Sequence, residues 1–192
     1  MSKRIRTFIA VDTSESIRAQ LEKLQQSLAR STDDVRWVEP KTVHLTLNFL
    51  GEVDERDVYA VCKSVEAAVA ETPPFEMTVA GVGAFPNAAR PRVIWAGVRQ
   101  GSQELTAIHD AIDDALEGQG YPREARAFTP HFTIGRIRRT MPNPQLQNAL
   151  EKRGNWEAGS FRVSEILVMA SDLSSEGPTY SVMGRAPLGT AK

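Results

Sequence analysis

Hydrophobic positions change their period several times along the chain, and each change marks a new element. Ile5 to Val11 is a dense apolar run of strand length. Asp12-Thr13-Ser14 then offers N-cap residues for a helix whose stripe is Ile17, Leu21, Leu24 and Leu28. A short extended piece, Val35 to Val38, is broken by Pro40. The run Val43 to Leu50, rich in apolar and β-branched residues, predicts a central strand closed by Gly51. From Asp54 the spacing of Val58, Val61, Cys62, Val65 and Val69 predicts a second helix, stopped by Pro73-Pro74 before the extended stretch Phe75 to Val82.

Gly83 to Pro91 reads as a turn, followed by a strand over Arg92 to Val98 and a helix with Leu105, Ile108, Ile112 and Leu116 on one face. A strand over His131 to Ile137, a helix over Pro144 to Arg153 and extended segments near 159–163, 166–171 and 179–186 complete the chain. Strands and helices intermix without a regular βαβ rhythm, and each half holds one similar histidine-bearing strand. These patterns predict an α+β fold with approximate internal duplication.

Composition narrows the class. At 192 residues with 41% hydrophobic and 24% charged residues, the chain is long enough to bury a core unaided and ordinary for a globular domain. No apolar run approaches the roughly 18–20 residues of a membrane span. The basic start Met1 to Arg6 is followed too soon by Asp12 and Glu15 for a signal peptide. The lone Cys62 has no internal disulfide partner and lies on a helix stripe, so a cytoplasmic protein is expected. A net charge of −1 excludes a broad polycationic surface for long duplexes, leaving small, local contacts to nucleic acid.

Only three histidines occur, and two begin nearly the same tetrapeptide: His44-Leu45-Thr46-Leu47 and His131-Phe132-Thr133-Ile134. On a strand, residues two apart share a face. Each segment therefore displays an imidazole and a hydroxyl together and sends Leu45, Leu47, Phe132 and Ile134 into the core. A lone H-x-T is best explained as an ordinary half-buried strand segment, but two matched copies are not. Two imidazoles on one cleft suit in-line displacement at phosphorus: a neutral one takes a proton while a protonated one gives one to the leaving oxygen. Thr46 and Thr133 are placed to donate hydrogen bonds to the non-bridging oxygens.

Two histidines fall short of the three or four ligands of a zinc site, and no H-E-x-x-H spacing occurs, so no metal is expected. His109 lacks a threonine two residues on and is expected at the surface or its boundary. Between Tyr121 and Arg139, five arginines (Arg123, Arg126, Arg136, Arg138 and Arg139) face the single acid Glu124. Arg136, just beyond the His131 strand, is the candidate phosphate clamp, and Arg123, Arg138 and Arg139 are expected to be solvated.

The opening Arg6 to Val11, the run His44 to Val53 and the run Phe128 to Arg136 resemble the two-histidine (2H) phosphoesterases, and within them the RNA 2′,3′-cyclic phosphodiesterases, historically called bacterial 2′-5′ RNA ligases. The resemblance spans most of the chain. It implies a single bilobal α+β domain over residues 1–192, with two antiparallel sheets around a central cleft, helices outside, one H-x-T-x motif per lobe and no cofactor for hydrolysis. It also implies roles: His44 as proton donor to the 3′ oxygen, His131 as proton acceptor from water, and a 2′-phosphomonoester as product, with ligation as the reverse chemistry.

RNA ends or small cyclic phosphodiesters are the partners this implies, for a chain expected to be a monomer. Phe8, Trp37, Phe49 and Phe132 are aromatic side chains near the site strands, and Phe8 and Phe49 are candidates for stacking on a base. Two other readings stay open: a phosphodiesterase for small cyclic nucleotides or ADP-ribose cyclic phosphate, and a module that holds RNA ends without turnover.

Overall fold

The computed structural model describes residues 3–139, 141–174 and 177–189. The elements are β1 (Arg4–Asp12), α1 (Glu15–Ala29), β2 (Val35–Trp37), β3 (His44–Asp54), α2 (Val58–Val69), β4 (Phe75–Phe85), β5 (Val93–Val98), α3 (Ser102–Glu117), β6 (His131–Ile137), α4 (Pro144–Glu151), β7 (Glu157–Val163), β8 (Glu165–Ser174) and β9 (Gly177–Pro187). Each predicted element is present. Several boundaries differ: β3 runs on past Gly51 to Asp54, so α2 starts at Val58, β4 extends to Phe85, α4 ends at Glu151 and β8 runs on to Ser174. Gly51 adopts a positive φ of 71° at a register shift against β1, so it bends the strand and leaves Val53 to pair with Ile5.

The expected pair of sheets is a single one. Nine strands form one curved antiparallel sheet in the order β7-β4-β5-β6-β3-β1-β8-β9, with β2 on β6, and helices flank it. The correction has a narrow basis: β3 and β6 are joined by one residue pair, Leu45 opposite Phe132. The two halves of the sheet thus meet at the two motif strands.

Outward from that joint the order is symmetric, β3-β1-β8-β9 on one side and β6-β5-β4-β7 on the other. The chain supplies both sides from both of its halves, since β4 follows α2 yet pairs with β5, and β8 follows α4 yet pairs with β1. The helices cross in the same way. α1 and α4 pack beneath β6, β4 and β7, and α2 and α3 beneath β3, β8 and β9. One contiguous core results, with Leu45, Phe132 and Ile134 fully buried beside Leu21, Ile108 and Ile112. Ser14 caps α1 by accepting from the Ile17 amide at 3.3 Å, and Cys62 of α2 packs closely on Gly184 of β9. Among the described residues, no helix is long and apolar enough to cross a membrane.

Candidate active site

In both motif strands the register slips at the same place. Ala10 faces Thr46 and Ile9 faces Asn48, skipping Leu47; Trp95 faces Thr133 and Ile94 faces Gly135, skipping Ile134. The extra residue makes two successive positions point coreward, Leu47 with Asn48 and Ile134 with Gly135, and returns Phe49 and Arg136 to the open face with the histidines. A Cβ at Gly135 would overlap Val35 and Trp37, whose side chains fill that core space.

At each bulge a buried side chain from a helix reaches the carbonyl of the extra residue. His109 of α3 donates through Nδ1 to the Leu47 carbonyl at 2.9 Å, and Gln25 of α1 donates through Nε2 to the Ile134 carbonyl at 2.8 Å. His109 is therefore not at the surface: it is 5% exposed, stacks on Phe128 at 4.3 Å, and sits beside Asn48, which donates to Asp113 Oδ1 at 2.6 Å. We expect His109→Ala to lower unfolding stability by about 2–3 kcal/mol, from a stranded acceptor and a lost stack, and His109→Gln to recover part of it. Urea unfolding of the three proteins measures this.

The two imidazoles are mounted alike. His44 Nδ1 lies 2.8 Å from the Thr42 carbonyl, and His131 Nδ1 lies 2.6 Å from the Thr129 carbonyl. A carbonyl only accepts, so Nδ1 carries a proton in each ring and Nε2 is left to exchange protons. His44 stacks on Phe8 at 4.8 Å and meets the edge of Tyr180 at 5.0 Å, and His131 meets Phe85 edge-on at 5.0 Å. Extending the Leu45–Phe132 register by one residue each way sets His44 across from Thr133 and Thr46 across from His131. The histidines occupy one diagonal and the threonines the other, and diagonal neighbours in such a pair lie about 7–8 Å apart, room for one phosphoryl group.

Electrostatics distinguish the two histidines. Burial pushes both below the usual 6.5. Against that, the carboxylate of Asp12, which pairs with His44 across β1, raises the first, whereas the guanidinium of Arg136 lowers the second further. The position matching Asp12 beside His131 is Gly97, and the position matching Arg136 beside His44 is Phe49. The two histidines thus stand in unlike fields, with a carboxylate beside His44 and a guanidinium beside His131.

The remaining candidates divide. Phe49 is 55% exposed on the open face with the Arg6 guanidinium 5.9 Å above its ring. Phe8 is 1% exposed beneath His44, Phe49 and Tyr180, so its face is spent on His44 and none is open to a base. Trp37 and Phe132 belong to the core side. Arg123 is paired with Asp114 and Glu117, and Arg139 with Asp34, while Arg136 alone of the five acts on both His131 and Tyr180. The sequence does not mark Tyr180 or Gln25 as site residues, and it marks Asp12 only as an N-cap candidate. No group of three or more histidine, cysteine or carboxylate side chains converges among the described residues.

A symmetric pair of H-x-T strands at the centre of one antiparallel sheet defines a two-histidine phosphoesterase. The family model of the 2′-5′ RNA ligase superfamily matches residues 8–174, and the chain belongs to that family. An RNA 2′,3′-cyclic phosphodiesterase of Aquifex aeolicus is 34% identical over 188 residues, 97% of this chain and 99% of its own. One from Methanothermobacter thermautotrophicus is 32% identical over 180 residues, 94% and 97% of the two chains. Among solved structures, a Thermus thermophilus protein superposes with a TM-score of 0.83 at 25% identity, covering 98% of this chain and all of its own. E. coli LigT complexed with 3′-AMP superposes with a TM-score of 0.78 at 25% identity, covering 97% and 99%.

Proposed function

We infer that this chain is an RNA 2′,3′-cyclic phosphodiesterase that opens the cyclic phosphate by acid–base catalysis between His44 and His131. The observation that carries the reading is the matched mounting of the two imidazoles beside Thr46 and Thr133, made unequal by Asp12 and Arg136. His131, held neutral by burial and by Arg136, takes a proton from water as its oxygen bonds to phosphorus. The bond from phosphorus to the 3′ oxygen breaks, and His44 gives that oxygen its proton, leaving a 2′-phosphomonoester. Thr46, Thr133 and Arg136 hold the non-bridging oxygens as charge builds on them, and Phe49 with Arg6 offers a stacking face to a base.

The test is hydrolysis of a short RNA ending in 2′,3′-cyclic phosphate, with a strong chelator present and the product's phosphate located by NMR. The expected product is the 2′-monoester at an undiminished rate. A 3′-monoester would reverse the direction assigned to the site, and a rate abolished by chelation would refute the metal-free mechanism. Arg136→Ala is expected to reduce kcat/KM by about 10-fold to 100-fold, as loss of a charge-assisted phosphate contact should.

A further inference from the structure

Past the bulge in β6 the open face becomes strongly basic. Ile137 packs toward the core, so Arg136 and Arg138 project together from the opposite face, about 6–7 Å apart along the strand. β2 adds a third guanidinium in the same way. Val35 is buried, Trp37 packs on the core, and Arg36 between them pairs directly opposite Arg136. All three arginines are exposed, and among the described residues none has a carboxylate partner, since Asp34, whose carbonyl accepts from the Arg138 amide, is paired with Arg139. We propose that Arg36 and Arg138 form a track for the RNA backbone upstream of the cyclic phosphate, where they hold the phosphodiester on the 5′ side of the terminal nucleoside.

Like charges directly opposite each other on paired strands repel, so Arg36 against Arg136, with Arg138 beside them, costs stability unless an anion lies among them. Composition does not account for the cluster, because the chain as a whole carries a net charge of −1. Position supplies a second argument. Arg136 acts on His131 and Tyr180, at the edge of the site, and the Arg36 guanidinium extends to the start of β9, where a Cβ at Gly177 would lie 3.7 Å from its Nη2. The three charges therefore edge an opening of the catalytic cleft and not a remote surface. They do so on one side only, since the position matching Arg136 beside His44 is Phe49. In an RNA end, the charge next to the cyclic phosphate is the phosphodiester at the 5′ oxygen of the same ribose. A row of cations that begins at the reacting phosphate and continues outward meets those charges in order. Guanidinium groups suit the task, because they grip phosphate in two-pronged fashion and leave the bases unread.

The track rests on the cyclic-phosphodiesterase reading, and one set of kinetics separates the two. The wild type, Arg36→Ala, Arg138→Ala and the double variant are assayed over a range of salt concentrations. One substrate is adenosine 2′,3′-cyclic phosphate, which has no phosphate beyond the ring. The other is a heptanucleotide ending in the same cyclic adenosine. Both arginines are exposed, so truncating them leaves the core intact.

We expect the wild type to favour the heptanucleotide by about 50-fold in kcat/KM at low salt, and each alanine variant to lower that preference by about 5-fold to 10-fold, mainly through KM. On the heptanucleotide, log kcat/KM should fall with the logarithm of salt concentration, and the slope should become shallower by about 0.7 for each arginine removed, as loss of one phosphate contact on a single strand requires. A preference and a salt slope unchanged in the double variant overturn the track. A wild type that opens both compounds equally at low salt also overturns it and leaves the chemistry standing. A wild type inert on both overturns the cyclic-phosphodiesterase reading itself.

Discussion

His131→Ala and His44→Ala are each expected to lower kcat for cyclic-phosphate opening by about 10²-fold to 10⁴-fold, the usual contribution of a positioned acid or base. The double variant should lose far less than the product of the two, because neither group completes proton transfer without the other. Stability should change little by comparison. The distinguishing measurement is the pH–rate profile. Under the proposed roles, the wild-type rate needs His131 neutral and His44 protonated. It therefore falls on the acid side as pH drops through the His131 pKa, which burial and Arg136 place below 6.5. On the alkaline side it falls as pH rises through the pKa of His44 in the substrate complex. His131→Ala should erase the acid limb and His44→Ala the alkaline limb. Identical profiles in both single variants would remove the basis for unequal roles.

Phe132→Ala is expected to cost about 3–5 kcal/mol of unfolding free energy, the range for deleting a large aromatic side chain from a closed core. Phe132 is 0% exposed, and with Leu45 it forms the one residue pair joining the two halves of the sheet. Deleting the ring opens a cavity at the place that sets His44 against His131. The variant should therefore lose activity as well as stability, at temperatures where it is still folded. Phe132→Leu, matching Leu45, should retain most of both. Denaturant unfolding alongside kcat at a fixed temperature checks this; full activity in folded Phe132→Ala would show that the joint does not set the spacing.

Much of the site was legible in the sequence because its geometry is local. Period-two alternation alone puts His44 with Thr46 and His131 with Thr133 on one face, and Leu45 and Ile134 on the other, as found. The helix stripes were legible for the same reason. What was hidden depends on pairing between distant segments. Nothing near Tyr180 in the chain tells that β9 reaches the His44 ring by way of β8 and β1. His109 and Gln25 look like unremarkable helix residues until the fold brings them to the Leu47 and Ile134 carbonyls. Phe8 sits in a strand whose alternation does place it on the open face, yet the layer of His44, Phe49 and Tyr180 above it closes that face off. The single sheet could not be read either, because one residue pair decides between one sheet and two.

Divided between β4 and β5, the chain would yield two pieces that cannot mature alone. Each would carry a motif strand whose bulge is held by the other's helix, His109 serving Leu47 and Gln25 serving Ile134. Each would also have lent away a strand its partner needs, β4 to β5 and β8 to β1. A half-length ancestor with one motif could satisfy those needs only by swapping segments with a second copy of itself about a dyad. Such a dimer would own two equivalent imidazoles, with neither committed to giving or to taking a proton. In a single chain, by contrast, Asp12 can stand beside one histidine and Arg136 beside the other, a difference that two identical copies could not carry.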